Sequence, residues 1–167
     1  MLDIAPHATI RGAYTLKAEQ WLPRPLEEIF AFFADAYRLP DLTPAFLHFQ
    51  VLTPKPIVML AGTKIDYRLR LRGIPITWQS EISEWDPPYR FVDRQLRGPY
   101  RLWHHEHSFE PQNSGTLVRD TVDYAVPGGR LIHWLMVRKD LERIFAFRRE
   151  KLESFFGNAT SPKTHVQ

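Results

Sequence analysis

The strongest constraint on the fold of this chain is a change in hydrophobic period at the Pro127-Gly128-Gly129 segment. From Arg130 to Phe156, apolar residues recur every three or four positions and charged residues fill the opposite side, which predicts one long amphipathic helix of about seven turns. Before this segment, apolar and polar residues alternate along much of the chain, a pattern typical of strands. The long helix is the only predicted element large enough to cover the apolar face of a sheet built from these strands.

Seven segments have the alternation of strands, at residues 14–22, 49–53, 63–72, 76–85, 90–96, 101–110 and 116–126. Short turns rich in proline and glycine separate most of them, with the spacing of antiparallel hairpins. After the first strand, Pro25 and an apolar stripe from Leu26 to Phe33 predict a helix. Two further prolines, Pro40 and Pro44, limit the next segment to a short second helix.

This order of elements predicts an α+β fold. A curved antiparallel sheet of about seven strands would wrap around the long C-terminal helix, with two short helices after strand 1. We expect one domain over residues 14–157, with tails at residues 1–13 and 158–167. A strongly curved sheet around one helix rarely fills its own concavity, so we expect a pocket between them.

Composition narrows the function classes. The chain contains no cysteine, which excludes disulfides and thiol chemistry. The net charge of +3 comes from basic residues that are interleaved with acids, so we expect no nucleic-acid partner. The N-terminal residues lack the pattern of a secretory signal, and the longest apolar runs are too short to span a bilayer. We therefore expect a cytoplasmic protein with no integral membrane association.

The segment "GPYRLWHHEHSFEP" holds three histidines and a glutamate in a row, from His104 to His107. Side chains on a strand point alternately to opposite faces. Trp103, His105 and His107 therefore share one face, which we predict to be the inner one because Phe109 lies on it too. His104 and the glutamate next to it would face water or pair with neighbouring strands.

Counting through the predicted hairpins places further residues near this face. Around the turn "EPQNSGT", the predicted opposite pairs are Phe109 with Val118, His107 with Asp120, and Trp103 with Tyr124. Around "LRGPY", Asp93 would lie near Trp103, and Phe91 near His105. A slip of one residue would turn every side chain to the other face.

From this register we predict the residues of a ligand cavity. The walls would be Trp78, Ile82, Phe91, Trp103 and Tyr124. The polar contacts would come from Asp93, Gln95, His105, His107 and Asp120. The helical pattern places Trp134, Leu141 and Phe145 of the C-terminal helix in the core, and Leu141 and Phe145 would cover the cavity from above.

Three interpretations of the polar residues stay open. They could satisfy one another inside a cavity and orient an amphiphilic ligand. His105 or His107 could be a general acid or base oriented by Asp120. Both histidines and a carboxylate could also hold zinc or iron, although an isolated His-x-His motif is weak. The first is preferred, so we expect no cofactor, no metal and no assigned catalytic residue.

The chain resembles the START-like, Bet v 1-like superfamily, also known as SRPBCC proteins or the polyketide cyclase/dehydrase family. The resemblance rests on "WLPRPLEEIFAFFADAYRLPDLTP", "WDPPYRFVDRQLRGPYRLWHHEHSFEP", "GTLVRDTVDYAVPGG" and the closing helix, and covers roughly residues 14–156. It implies a helix-grip fold with a hydrophobic cavity under the last helix. It supplies no catalytic motif, and the cysteines of Rieske members are missing.

The expected function is binding or carriage of a small hydrophobic or amphiphilic molecule, such as a lipid, quinone, polyketide or aromatic metabolite. The alternative is an acid–base enzyme of cyclase, dehydratase or isomerase type that uses His105 or His107 with Asp120. A third class, an interaction protein, would show a filled core without a void.

Overall fold

The computed structural model describes residues 1–157. Eight antiparallel strands form one sheet with the order β1-β2-β8-β7-β6-β5-β4-β3. The strands are β1 (Leu2–Pro6), β2 (Ala13–Leu22), β3 (Gln50–Val51), β4 (Lys64–Leu71), β5 (Ile74–Asp86), β6 (Arg90–Arg97), β7 (Leu102–Gln112) and β8 (Gly115–Ala125). The predicted α+β architecture of helix-grip type is confirmed.

The helices lie where the sequence predicts them. Helix α1 spans Leu26–Phe33 and is followed by two 3₁₀ segments, Ala36–Leu42 and Ala45–Leu47. The C-terminal helical region consists of α2 (Gly129–Ile132), a π-helical turn (His133–Val137) and α3 (Arg138–Phe156). Proline before α1 and two glutamates in its first turn suit its N-terminus.

The first residues of the chain differ from the prediction. Residues 1–13 are predicted to be a tail, but Leu2–Pro6 forms the edge strand β1, which pairs antiparallel with β2. Ile4 of this strand is buried against the sheet core. The strand has only five residues and ends at a proline, so its alternation is too short to detect by periodicity. The predicted tail at 158–167 lies outside the described residues.

The C-terminal helical region buries one stripe of side chains, as predicted, but in its first turns the buried residue differs by one position from the predicted one. Leu141, Phe145 and Leu152 are buried, whereas Trp134, which the helical pattern places in the core, is 51% exposed. His133 takes the fully buried position beside it. The π-helical turn explains the difference, because its wider hydrogen-bonding pattern rotates the preceding residues relative to α3.

The core divides into two clusters on the concave face of the sheet. One surrounds α1 and includes Phe30, Ile65 and Phe91, and the other joins β1, β2 and β8 to α3 through Leu16, Val122 and other side chains. Among residues 1–157, no helix is long and apolar enough to cross a membrane.

Candidate functional site

A cavity of about 200 Å³ lies between the concave face of the sheet, the 3₁₀ segment after α1, and α3. Strands β4 to β7 supply one wall with Tyr67, Trp78 and Trp103, and α3 supplies Leu141 and Phe145. The indole rings of Trp78 and Trp103 pack edge to face with their centroids 5.2 Å apart. Such ring pairs make a rigid apolar wall.

Nine of the predicted site residues line this cavity. They are Trp78, Ile82, Phe91, Asp93, Trp103, His105, His107, Leu141 and Phe145. The alternation of β5, β6 and β7 brings the side chains from these strands to one face, and the buried stripe of α3 covers them.

The other three predicted residues, Gln95, Asp120 and Tyr124, do not line this cavity. The Gln95 amide donates to the Tyr100 carbonyl at 2.7 Å and accepts from the Tyr100 N–H, so it fixes the turn between β6 and β7. Tyr124 is fully buried in the second core cluster, where its hydroxyl bonds to His133 Nε2 at 2.9 Å. Asp120 lies behind the two histidines of β7.

The register of the strands explains why the lining residues of β6 and β7 share one face. Strands β7 and β8 pair as predicted, with Phe109 opposite Val118, His107 opposite Asp120 and Trp103 opposite Tyr124. The prediction for β6 and β7 is wrong by two residues, because Phe91 lies opposite His107, and Asp93 opposite His105. The hairpin that joins these strands is centred one residue further along the chain than the assumed turn, which shifts every pair by two residues. An even shift leaves every side chain on its predicted face.

His105 and His107 bridge two carboxylates. Asp120 Oδ1 lies 2.9 Å from His105 Nε2 and 2.8 Å from His107 Nδ1. On the cavity side, Asp93 Oδ2 lies 3.2 Å from His107 Nε2 and 3.7 Å from His105 Nδ1. The His107 ring also stacks on Phe91, with centroids 4.3 Å apart. Both imidazole rings are thereby held in fixed orientations.

Arg148 of α3 completes this buried cluster. It is 8% exposed, and one terminal guanidinium nitrogen lies 3.1 Å from Asp120 Oδ1. The guanidinium carbon stands 5.0 Å from the centre of the Phe33 ring. Two carboxylates then face one permanent cation, so one further proton on the histidines makes the cluster electrically neutral.

The pKa shifts agree on where that proton resides. Burial lowers the pKa of His105, and the neighbouring charge of His107 lowers it further, against the opposing effect of Asp120. Burial also acts to lower the pKa of His107, but hydrogen bonds to Asp120 and Asp93 outweigh it and raise that pKa overall. The two opposite directions favour His107 over His105 as the site of the proton.

Both carboxyl groups stay ionised in this environment. Burial acts to raise the pKa of Asp120, but the charge of Arg148 and the hydrogen bonds from both histidines hold it well below its usual range. Burial likewise acts to raise the pKa of Asp93, but the hydrogen bond from His107 and the nearby positive charges outweigh it and lower that pKa overall. The cluster thus stabilises separated charges beside an apolar cavity.

Sequence reasoning missed Arg148, although a signal was present. Leu141, Phe145, Arg148 and Leu152 follow one another at helical spacing, so the arginine occupies a core-facing position in an apolar stripe. A charged residue at such a position indicates a buried partner. Tyr67, Ser80 and Tyr100, which were also not named as site residues, line the cavity as well.

Comparisons with known proteins agree with this architecture. The model of the family described as polyketide cyclase / dehydrase and lipid transport matches residues 22–147. No curated protein sequence matches the chain.

Solved structures share the fold at low sequence identity. The Zhui aromatase/cyclase from Streptomyces sp. R1128 is 14% identical, with a TM-score of 0.66 over 92% of this chain and 99% of that chain. A protein from Thermus thermophilus is 20% identical, with a TM-score of 0.63 over 84% of this chain and 98% of that chain.

A plant protein gives a similar result. The major latex-like protein 151 of Panax ginseng is 12% identical, with a TM-score of 0.61 over 86% of this chain and 97% of that chain. These likenesses concern the fold, whereas the family model spans most of the sequence itself. With its sheet, its covering helix and the match over residues 22–147, the chain belongs to the polyketide cyclase / dehydrase and lipid transport family.

Proposed function

We propose that the protein binds a small amphiphilic molecule in the cavity under α3. The observation that carries this proposal is the combination of aromatic walls with a cluster of polar side chains at one place on the lining. Trp78 and Trp103 would contact the apolar body of the ligand, and Asp93, His105 and His107 would bond its polar group. An apolar site with a few convergent polar groups is the usual form of a small-molecule pocket.

The size of the cavity favours a small ligand. Its volume of about 200 Å³ lies below the range of roughly 300–1,000 Å³ that is typical of pockets for drug-sized molecules. One or two fused rings, or the head of a longer molecule, match this space better than a whole sterol. The void also favours ligand binding over a pure interaction protein, whose core would be filled.

The proposal is tested by uptake of ligands from a mixture of aromatic metabolites, fatty acids and quinones, followed by native mass spectrometry. We expect an adduct that leaves on denaturation. Leu71 lines the cavity, so Leu71→Trp should reduce uptake by about tenfold or more, since a clash of this kind costs at least about 1.4 kcal/mol.

Leu96→Trp is the matched control, because Leu96 lies on the same sheet, is 39% exposed and does not line the cavity. Equal uptake by both variants, or no uptake by the wild type, would exclude ligand binding in this cavity.

A second candidate function is acid–base catalysis of a cyclisation, dehydration or isomerisation. The observation that favours it is that the His105 and His107 rings line the cavity while Asp120 fixes both from behind. Conversion of a bound ligand, seen as a change in its mass or retention time, would support an enzyme. A conversion rate that is unchanged in His107→Gln would rule out His107 as the catalytic group.

A further inference from the structure

Three potential metal ligands converge on the cavity side of the buried cluster. Asp93, His105 and His107 each offer one ligand atom, and these three atoms lie within 4.8 Å of one another. Asp93 Oδ2 lies 3.7 Å from His105 Nδ1 and 3.2 Å from His107 Nε2. Ligand atoms around a tetrahedral ion at about 2.1 Å are spaced by about 3.4 Å, so these separations are close to those of a metal site.

The longer separation is difficult to explain by hydrogen bonding alone. At 3.7 Å, the contact between His105 Nδ1 and Asp93 Oδ2 is too long for a hydrogen bond. His107 alone can bond Asp93 directly, at 3.2 Å. A single ion between the three atoms would satisfy all of them with small movements of side chains.

The opposite nitrogens of both rings are already arranged as in metal sites. His105 Nε2 and His107 Nδ1 both lie within hydrogen-bonding distance of Asp120 Oδ1, at 2.9 Å and 2.8 Å. Histidine ligands in proteins almost always donate their second N–H to a carboxylate or carbonyl, which fixes the tautomer and aims the free lone pair at the metal. Here one carboxylate stands in that position for both rings, and Arg148 in turn donates to that carboxylate.

We propose that Asp93, His105 and His107 bind a divalent transition-metal ion, with zinc and iron(II) as the chemical class that fits two imidazoles and one carboxylate. The His-x-His motif by itself does not identify the carboxylate that would be the third ligand. The structure supplies Asp93 as that ligand. All three side chains line the cavity, so the open coordination positions face the space proposed for the ligand.

The charges indicate what the loaded site would bind. A divalent ion and Arg148 together carry three positive charges against the two negative charges of Asp93 and Asp120, with both histidines neutral. The surplus of one positive charge favours a ligand with an anionic oxygen, such as a carboxylate, a phenolate or an enolate. The two binding events are separate proposals. Metal binding needs only Asp93, His105 and His107, and the proposed uptake of an amphiphile needs no metal.

The test uses the full chain after treatment with a chelator. Cobalt(II) is titrated while visible absorption is followed, and zinc is titrated by calorimetry. We expect one ion per chain, with the intense d–d bands of a four- or five-coordinate cobalt site. Asp120→Asn should lower the affinity about 10–100-fold, as loss of an outer carboxylate does. Asp93→Asn and His107→Gln should lower it further.

His104→Gln is the matched control, because His104 lies on the same strand next to the two proposed ligands but points to the other face. It should leave the affinity unchanged. Circular dichroism of each variant shows whether it is folded. Should a variant unfold, X-ray absorption of the cobalt-loaded wild type decides the question, with two imidazole ligands expected.

Three results would overturn the proposal. They are weak binding with the spectrum of hydrated cobalt, affinity that is unchanged in folded Asp93→Asn and His107→Gln, and a cobalt spectrum without imidazole ligands. Loss of affinity in His104→Gln would equally assign the ion to the outer surface. Uptake of amphiphiles by the chelator-treated protein would persist in each case, so failure here is distinct from failure of the proposed function.

Discussion

Removal of the Arg148 side-chain charge tests the energetic role of the buried cluster. Arg148→Met keeps much of the packing against Phe33 but leaves the Asp120 carboxylate without its cation. Breaking a buried ion pair from one side costs about 3–5 kcal/mol. Asp120 keeps its hydrogen bonds from His105 and His107, so we expect the lower end of this range, about 3 kcal/mol. Thermal unfolding should shift down by about 6–12 °C, since 1 kcal/mol corresponds to about 2–4 °C for a domain of this size.

The assay is urea unfolding followed by tryptophan fluorescence, with Arg149→Met as the matched control. Arg149 is the next residue of α3, is exposed, and its guanidinium donates to a backbone carbonyl of β2. Its replacement should change stability by about 0.5 kcal/mol or less. The double variant Arg148→Met with Asp120→Asn should be more stable than additivity predicts, by about 1–3 kcal/mol. Equal stabilities of the two single methionine variants would refute the reasoning.

Three further predictions concern the region around the second core cluster. Tyr124→Phe should cost about 1–3 kcal/mol in urea unfolding, because it removes the 2.9 Å partner of His133, yet it should leave ligand uptake unchanged. Gly128→Ala should lower the free energy of unfolding by more than about 1 kcal/mol, because φ is +82° and the added Cβ atom would come within 2.5 Å of Ile132. Gly129→Ala should lower it less, because no atom lies within 4 Å of the added Cβ position. Burial lowers the pKa of His133 in the folded protein, so its contribution to stability is complete above its ordinary pKa near 6.5 and is lost as the pH falls. Below pH 6.5, the free energy of unfolding of the wild type should therefore fall by up to about 1.4 kcal/mol per pH unit relative to that of His133→Phe.

The sequence was sufficient to predict the fold and most of the cavity lining, for a physical reason. Strand alternation has a period of two, so the face of His105 and His107 is determined even when the pairing is counted wrongly by two residues, as it is for Asp93. The turn between β7 and β8 is tight, so the pairing of these strands could be counted correctly from the sequence, which placed Asp120 opposite His107.

The remaining features depend on information that local patterns do not contain. Arg148 reaches Asp120 through the packing of α3 on the sheet, and no spacing within α3 specifies which strand residue it meets. The exposure of Trp134 follows from the π-helical turn, which breaks the 3.6-residue period from which its burial was predicted. The hydroxyl of Tyr124 bonds to His133 in the same region, again through a tertiary contact.

The pairing of β2 with β8 has a consequence for how the chain folds during synthesis. Residues joined across this pair, such as Leu22 and Thr116, are about a hundred positions apart in sequence, and contacts of such long range are slow to form. Arg148 follows even later in the chain, so β6, β7 and β8 leave the ribosome before the cation that balances their carboxylates. We infer that the nascent sheet stays loosely formed until α3 emerges, and that closure of the cavity and neutralisation of the cluster occur together as one late step.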